Sequence, residues 1–182
     1  MGTVRHEQIW APWRLSYIQS VKDQAEQNAL ELLPGADRRC FLCQVSADSD
    51  DRRGGVVFRT ANCVALLNRY PYNNGHLLVA PQRHLARPDD IEPAVHHELS
   101  DAVNRLVGLL EKTLHPQGFN VGLNLGLAAG AGVPGHLHWH IVPRWNGDTN
   151  FMPVLGGVNV IPQSLEALWE TLTQQVRGGN GL

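Results

Sequence analysis

The sequence predicts an α+β fold with a mostly antiparallel sheet, and two observations lead to this class. Short segments with strand character occur at residues 56–59, 63–68, 76–81, 119–125 and 135–143. One long segment, residues 88–114, has helical periodicity and interrupts this series. Because the strands follow one another with a single long helix inserted, and do not alternate regularly with helices, an antiparallel sheet is favoured over a parallel one.

Length, composition and charge limit the classes of protein that fit. The chain has 182 residues, 43% of them hydrophobic, which suits an N-terminal arm with a short helix over residues 1–39 and a domain with a C-terminal extension over residues 40–182. No apolar run approaches 18 residues and the start lacks a signal-peptide pattern, so we expect a cytoplasmic protein without a membrane partner. A net charge of −2 with no Lys/Arg cluster predicts no nucleic acid polymer as partner.

The first elements are an aromatic arm, a short helix and a polar loop. The arm, residues 9–18, contains Trp10 and Trp13, which we expect to pack on the domain or on a second subunit. A helix is predicted over residues 21–33, because Pro34 and Gly35 follow it. Residues 46–55 are acidic and are predicted to form a solvated loop.

The later elements follow from turn signals and periodicity. Residues 56–59 and 63–68 predict a hairpin, and a turn then leads into the strand at residues 76–81. The helix over residues 88–114 repeats apolar side chains three and four positions apart, as scaffold helices do. Close to the end, we expect a short strand over residues 158–161 and a helix over residues 164–176.

The segment 135–143 contains three histidines at alternate positions. In a strand, His136, His138 and His140 would share one face with a spacing of about 6.6 Å, whereas Leu137 and its alternating neighbours would enter the core. The first and third rings would be about 13 Å apart, too far for metal–nitrogen bonds of about 2.1 Å to a shared ion. General acid/base catalysis and nucleophilic attack on phosphorus stay open, as does an ordinary histidine-rich edge strand.

Two further patterns carry chemistry. Residues 124–134 form a loop rich in Gly and Ala, which lets a backbone approach an anion closely and turn N–H groups toward it. Cys40 and Cys43 have the spacing of two zinc ligands, but two thiolates are half a site, and two buried reduced thiols are the alternative. Arg144 is the cation nearest to the histidines in sequence and is either an anion ligand or a solvated strand-end residue.

At these positions the sequence resembles the histidine triad family, whose signature His-x-His-x-His-x-x with apolar x is matched by residues 136–142. The resemblance extends over roughly residues 40–145. Residues 10–14 and 145–151 are similar to the bacterial branch close to the diadenosine tetraphosphate phosphorylases and hydrolases. His140 agrees with this branch, because the uridylyltransferases that resemble this strand have Gln there.

The resemblance implies an enzyme that acts on nucleotides or dinucleoside polyphosphates without an organic cofactor. His138 would be the nucleophile that takes up a nucleoside monophosphate, and inorganic phosphate or water would be the acceptor. His140 would bind phosphate oxygens and His76 would orient the triad. The nucleotide-binding residues would be Asn68, Asn124, Gly130, Ala131 and Gly132, together with His140.

The resemblance also implies a structural Zn²⁺ bound by Cys40, Cys43, His84 and His136, and a homodimer or larger assembly. Two departures stand out. Many members have Gln or Ser at the positions of Ala131 and Gly132, and relatives that act as phosphorylases often have an acidic residue where this chain has Gly135. These departures favour one alternative, a regulatory nucleotide-binding protein with little turnover. A nucleoside phosphoramidate hydrolase and a zinc-centred hydrolase are two further alternatives that stay open.

Overall fold

A computed structural model describes residues 30–179 of the chain and shows an α+β fold, as predicted. In chain order its elements are α1 (Phe41–Ala47), α2 (Asp51–Gly54), β1 (Val56–Arg59), β2 (Cys63–Leu67), β3 (Leu77–Pro81), α3 (Pro93–Leu114), β4 (Gly118–Leu123), β5 (Trp139–Arg144), α4 (Met152–Gly156) and α5 (Leu165–Arg177). Two 3₁₀ turns, Pro88–Asp90 and Leu127–Ala129, precede α3 and follow β4. The five strands form one antiparallel sheet in the order β1-β2-β3-β5-β4.

The two faces of the sheet bury different sets of side chains. Alternate residues of β2, β3 and β5, among them Ala65, Val79 and Ile141, pack with the apolar stripes of α3 and α5. The opposite face buries Leu66 and Leu78 together with residues of α1. This second face also carries His140, which lies opposite Leu78 in the register of β3 and β5. The scaffold helix therefore lies behind the sheet, and the histidines lie in front.

The histidine segment is extended, but its strand is shorter than predicted. β5 begins at Trp139, so His136 and His138 precede it. The reason is a change of hydrogen-bond partner, because the main-chain N–H of Leu137 donates to the carbonyl of Leu85 (2.6 Å) outside the sheet ladder. Leu137, Trp139 and Ile141 all pack in the core behind the sheet, as the alternation predicted.

Two other predictions are wrong. No strand forms over residues 158–161, because Val158 and Val160 are exposed and no strand of the described part pairs with them. The acidic segment 46–55 is not a solvated loop. Its carboxylates bind arginines: Asp48 accepts from Arg53 Nε (2.8 Å), and Asp51 accepts from Arg59 Nε (2.6 Å).

The sequence did not predict α4, and part of the N-terminal prediction is outside the described residues. α4 begins where the side chain of Asn150 accepts from the main-chain N–H of Met152 (2.9 Å). Trp10, Trp13 and most of the predicted helix over residues 21–33 lie outside the described part, although residues 30–33 are in no helix. None of the helices described within residues 30–179 has the length and apolar character needed to cross a bilayer.

Gly75, which directly precedes His76, lies in a tight turn that a larger residue would disturb. Its φ is +79°, and a Cβ built on it would lie 2.6 Å from Leu114 Cδ1 and 3.0 Å from Pro143 Cγ. Backbone strain and overpacking would therefore combine, so Gly75→Ala should lower the free energy of unfolding by about 2–4 kcal/mol in urea denaturation.

Gly108 provides the matched control for that experiment. It lies inside α3, and a Cβ there would meet nothing within 4 Å. Because alanine is the better helix former, Gly108→Ala should raise the free energy of unfolding by about 0.5–1 kcal/mol. A Gly75→Ala protein as stable as the unaltered chain would contradict the close packing described around this turn.

Candidate active site

The ring of His138 is held in one tautomer by a single backbone contact. Its Nδ1 lies 2.8 Å from the carbonyl oxygen of His136, which can only accept a hydrogen bond. Nδ1 therefore carries the proton, and the Nε2 of the neutral ring keeps its lone pair. An imidazole nitrogen with a free lone pair is a nucleophile, so this contact prepares Nε2 for attack on an electrophile.

A chain of hydrogen bonds fixes the tautomers of His76 and His140 as well. The main-chain N–H of Tyr72 donates to His76 Nδ1 (3.0 Å), so the proton of this ring is on Nε2. His76 Nε2 then donates to His140 Nδ1 (2.9 Å). The proton of His140 is consequently on its own Nε2, so this N–H and the Nδ2 of Asn124, 3.4 Å away, are both donors and do not bond to each other. His140 therefore presents an N–H donor on the side of the loop 124–134.

The rings of His76 and His140 are both neutral at physiological pH. Burial, and secondarily the neighbouring His140 and His138, lower the pKa of His76 to about 3. Burial and His138 lower the pKa of His140 to about 4. At pH 7 each ring thus carries one proton, as the directional hydrogen bonds require. The pair can orient and donate a hydrogen bond without adding positive charge.

The two asparagines reach the triad from the ends of two strands. Asn68 follows β2 and places its Nδ2 3.3 Å from His76 Nδ1. Asn124 follows β4, whose last residue, Leu123, pairs with Trp139. The sheet register therefore brings both amides to the side of the histidines. Asn68 lies next to His76, and Asn124 lies next to His140.

The glycine-rich loop offers its N–H groups unequally. The N–H groups of Gly130 and Ala131 donate to the carbonyls of Leu127 (3.0 Å) and Gly126 (3.3 Å) within the loop. The N–H of Gly132 makes no hydrogen bond within residues 30–179. Gly130 adopts a φ of +86°, and a Cβ on it would lie 4.0 Å from Asn124 Nδ2. The loop can therefore approach an anion closely, and of Gly130, Ala131 and Gly132 it is Gly132 that keeps its N–H available as a donor.

Four ligand groups converge beside the triad. The ligand atoms of Cys40, Cys43, His84 and His136 all lie within 4.8 Å of one another, and three of the four residues are buried. His136 Nδ1 is 3.4 and 3.5 Å from the Sγ atoms of Cys40 and Cys43, and His84 Nδ1 is 3.2 Å from Cys43 Sγ. A tetrahedral zinc site with ordinary bond lengths places S and N about 3.6 Å apart, so this set fits Zn²⁺.

Contacts outside the cluster orient its histidines. His136 Nε2 donates to the carbonyl of Pro81 (2.8 Å), which leaves the lone pair of Nδ1 directed at the thiols. A Cβ at Gly135 would lie 3.2 Å from His84 Nε2, so the glycine gives the His84 ring its space. Without a cation, burial raises the pKa of the Cys40 thiol to about 11, because a lone thiolate would be poorly solvated there. The cluster is therefore shaped for a metal.

Arg144 is already occupied by other side chains. Its Nε and Nη2 donate to the carboxylate of Asp148 (2.6 and 2.9 Å), and its Nη1 donates to Asn120 Oδ1 (2.8 Å). The guanidinium holds the pKa of Asp148 well below its usual range. Asn73 Nδ2 also donates to Asp148 (2.8 Å). Arg144 thus joins β5 to the following loop and is not a free cation.

Sequence reasoning missed one aromatic residue next to the triad. The ring of Tyr72 lies nearly parallel to that of His140, with centroids 5.8 Å apart and an interplanar angle of 16°. It also contacts the ring of His76, with centroids 4.7 Å apart. The only sequence signal is an aromatic residue four positions before His76, and the turn between them hides the contact.

The HIT domain family model matches residues 51–147, which contain His76, the three alternating histidines and the loop 124–134. The chain belongs to the HIT family. It is 38% identical over 161 residues to the AP-4-A phosphorylase of Mycobacterium tuberculosis (strain H37Rv), covering 87% of this chain and 78% of that protein. This HIT protein is also 37% identical over 93 residues to the asymmetrical bis(5'-nucleosyl)-tetraphosphatase of Schizosaccharomyces pombe, covering 51% of this chain and 50% of the relative.

A solved structure supports the fold of this HIT protein and bears on its Cys/His cluster. The Zn-bound histidine triad family protein from Mycobacterium smegmatis aligns with a TM-score of 0.60 and 27% identity, covering 77% of this chain and 94% of that one. That neighbour binds zinc, and this HIT protein has a four-residue cluster that can bind a metal.

Proposed function

We propose that this HIT protein is an enzyme that cleaves dinucleoside polyphosphates such as diadenosine tetraphosphate. The observation that carries the proposal is the hydrogen bond from His138 Nδ1 to the carbonyl of His136, which leaves Nε2 as a nucleophile in a chain of the HIT family. The similarity to the AP-4-A phosphorylase supports this class of substrate.

The reaction would take place in two displacements at the α-phosphorus. His138 Nε2 attacks, the new N–P bond forms, and the bond from phosphorus to the bridging oxygen breaks to release ATP from diadenosine tetraphosphate. An acceptor oxygen then attacks the same phosphorus and the N–P bond breaks. His140, through its Nε2–H, and the N–H of Gly132 would stabilise the phosphate oxygens, with Asn124 beside them.

Two residues position these groups. His76 holds the proton of His140 in place through the 2.9 Å hydrogen bond, and its neutral ring keeps this donation directional. Asn68, beside His76 at the end of β2, would contact the ribose. Gly130 and Ala131 would act by close approach of the loop backbone, since their N–H groups are used within the loop.

Inorganic phosphate is the acceptor that we propose, on the strength of the similarity to the phosphorylase. Incubation of diadenosine tetraphosphate with and without phosphate should give ATP plus ADP only when phosphate is present, as measured by chromatography of the products. If AMP plus ATP form at a rate that does not depend on phosphate, water is the acceptor. If no nucleotide is released under either condition, the enzymatic proposal fails.

We also propose that Cys40, Cys43, His84 and His136 bind a structural Zn²⁺. Four protein ligands complete a tetrahedral site, whereas catalytic zinc sites keep one position for water or substrate. When bound, the ion would supply a cross-link between α1, the segment after β3 and the segment before β5. The carbonyl of His136 also accepts the hydrogen bond from His138 Nδ1. The cross-link would therefore hold the backbone that orients the nucleophilic ring of His138.

The homodimer and the cytoplasmic location are further proposals. β4 is an edge strand with an exposed Val121, and an uncovered edge favours pairing with a second chain. Sedimentation at micromolar concentration should therefore show a dimer or a larger assembly. A monomer under these conditions would contradict the proposed pairing, while the chemistry proposed for His138 would stand.

A further inference from the structure

A groove opens beside His140 on the side of β4. Its volume is about 270 Å³, close to the lower end for small-ligand sites. Tyr72 and Asn124 line it together with residues of β4 and β5. Along β5 the lining residues are His140, Val142 and Arg144, which follow one another on the same face in the direction away from His138. The groove therefore begins at the triad and leads away from the nucleophile.

Tyr72 offers a fixed aromatic surface to this groove. Its ring is packed against His76 and His140, yet 56% of the residue is exposed. The contacts on one side hold the ring in place, so little conformational freedom is lost when a flat ligand stacks on the other side. Stacking of a base on an aromatic side chain contributes about 1–3 kcal/mol as measured by alanine substitution.

Gly122 leaves space in the groove next to His140. It lies within β4, directly across from His140 in the register. A Cβ on Gly122 would meet nothing within 4 Å, so packing within the chain does not require a glycine there. Glycine weakens a strand interior and often marks a place where a ligand approaches closely. The groove is therefore open at this position, which it shares with Tyr72 and His140.

The charge of the groove favours a neutral aromatic group over a free anion. The one charged side chain in its lining, Arg144, is bonded to Asp148 and Asn120. The remaining polar side-chain groups are the amides of Asn120 and Asn124, the hydroxyl of Tyr72 and the Nε2–H of His140. Amides and an aromatic face suit the hydrogen-bonding edge and the flat surface of a nucleobase.

We propose that this groove binds the second nucleoside of the dinucleoside polyphosphate, with its base stacked on Tyr72. The inference rests on the proposed function. In an in-line displacement the leaving group lies on the side of the α-phosphorus opposite to His138 Nε2. We place it past His140 and Asn124, because both residues line the start of the groove. Tyr72 is thus a residue that selects substrates with a nucleoside at both ends of the polyphosphate.

The test compares diadenosine tetraphosphate with adenosine tetraphosphate, which lacks the second nucleoside. In Tyr72→Ala, the ratio of kcat/KM for the first substrate to kcat/KM for the second should fall about tenfold or more. Tyr72→Phe should keep the ratio of the unaltered protein. Tyr70→Ala is the matched control, because Tyr70 is 80% exposed and makes no ring contact within the described residues.

An equal loss for both substrates would overturn the inference, since Tyr72 would then act only on His140. Gly122→Val provides an independent variant that fills the groove from β4 and should lower the same ratio. If the unaltered protein cleaves neither substrate, the proposed function fails. The groove is then tested by calorimetry, as the ratio of the affinity for diadenosine tetraphosphate to the affinity for AMP. An affinity ratio that is equal in the unaltered protein and in Tyr72→Ala would then overturn it.

Discussion

Replacement of His138 by asparagine should lower kcat for diadenosine tetraphosphate by at least about 10⁴-fold, as removal of a nucleophile does in other enzymes with covalent intermediates. Asparagine can still donate an amide hydrogen toward the carbonyl of His136, but it offers no nucleophilic nitrogen at the position of Nε2. Substrate should therefore still bind. Intact-protein mass spectrometry should detect a nucleoside monophosphate on the unaltered protein during turnover and none on His138→Asn.

His97→Asn is the matched control for this experiment. His97 is an exposed histidine of α3, on the other side of the sheet from the triad, and its replacement should leave kcat and adduct formation unchanged. An adduct on His138→Asn would show that another residue is the nucleophile. If the unaltered protein binds nucleotide and never acquires the adduct, it is a regulatory nucleotide-binding protein and the enzymatic proposal is wrong.

The rows of alternating side chains could be predicted from the sequence because they depend on local geometry. Leu137 and Ile141 had to lie on the face opposite His140 in any extended segment, and the core shows this arrangement. The start of β5 could not be predicted in the same way. It depends on Leu85, whose carbonyl accepts from Leu137 although the two residues are far apart in sequence.

The surroundings of the triad were harder to predict than the triad itself. Asp148 is only four residues after Arg144 in the sequence, but Asn120, the other partner of the guanidinium, lies on the neighbouring strand β4, which nothing local in the sequence shows. The stacking of Tyr72 on His140 depends on a turn that returns toward the sheet. Charges and exposed rings have no periodic pattern, and their partners are chosen by the tertiary fold.

The metal cluster is an intermediate case. The spacing of Cys40 and Cys43 indicates half a site, whereas His84 and His136 come from separate segments that the resemblance alone connected to it. The structure brings all four ligand atoms within 4.8 Å of one another. It also gives a physical reason for Gly135, since a side chain there would press on His84 Nε2.

Loss of one zinc ligand should remove the metal and destabilise the fold. Cys40→Ser should reduce the zinc content from about one ion per chain to nearly none and lower Tm by about 10 °C, because a metal-linked loss of about 3 kcal/mol corresponds to 6–12 °C in a chain of this size. Zinc content can be measured by elemental analysis and Tm by calorimetry.

Cys63→Ala is the matched control, because Cys63 is equally buried but lies in the core behind the sheet and outside the four-residue cluster. It should keep its zinc and show only the modest loss expected from a small cavity. Zinc retained in Cys40→Ser, or zinc lost in Cys63→Ala, would contradict the assignment. If the ion is structural, chelation should lower Tm at chelator concentrations that still leave kcat unchanged. The reason is that all four positions around the ion are taken by protein and the attacking nitrogen belongs to His138.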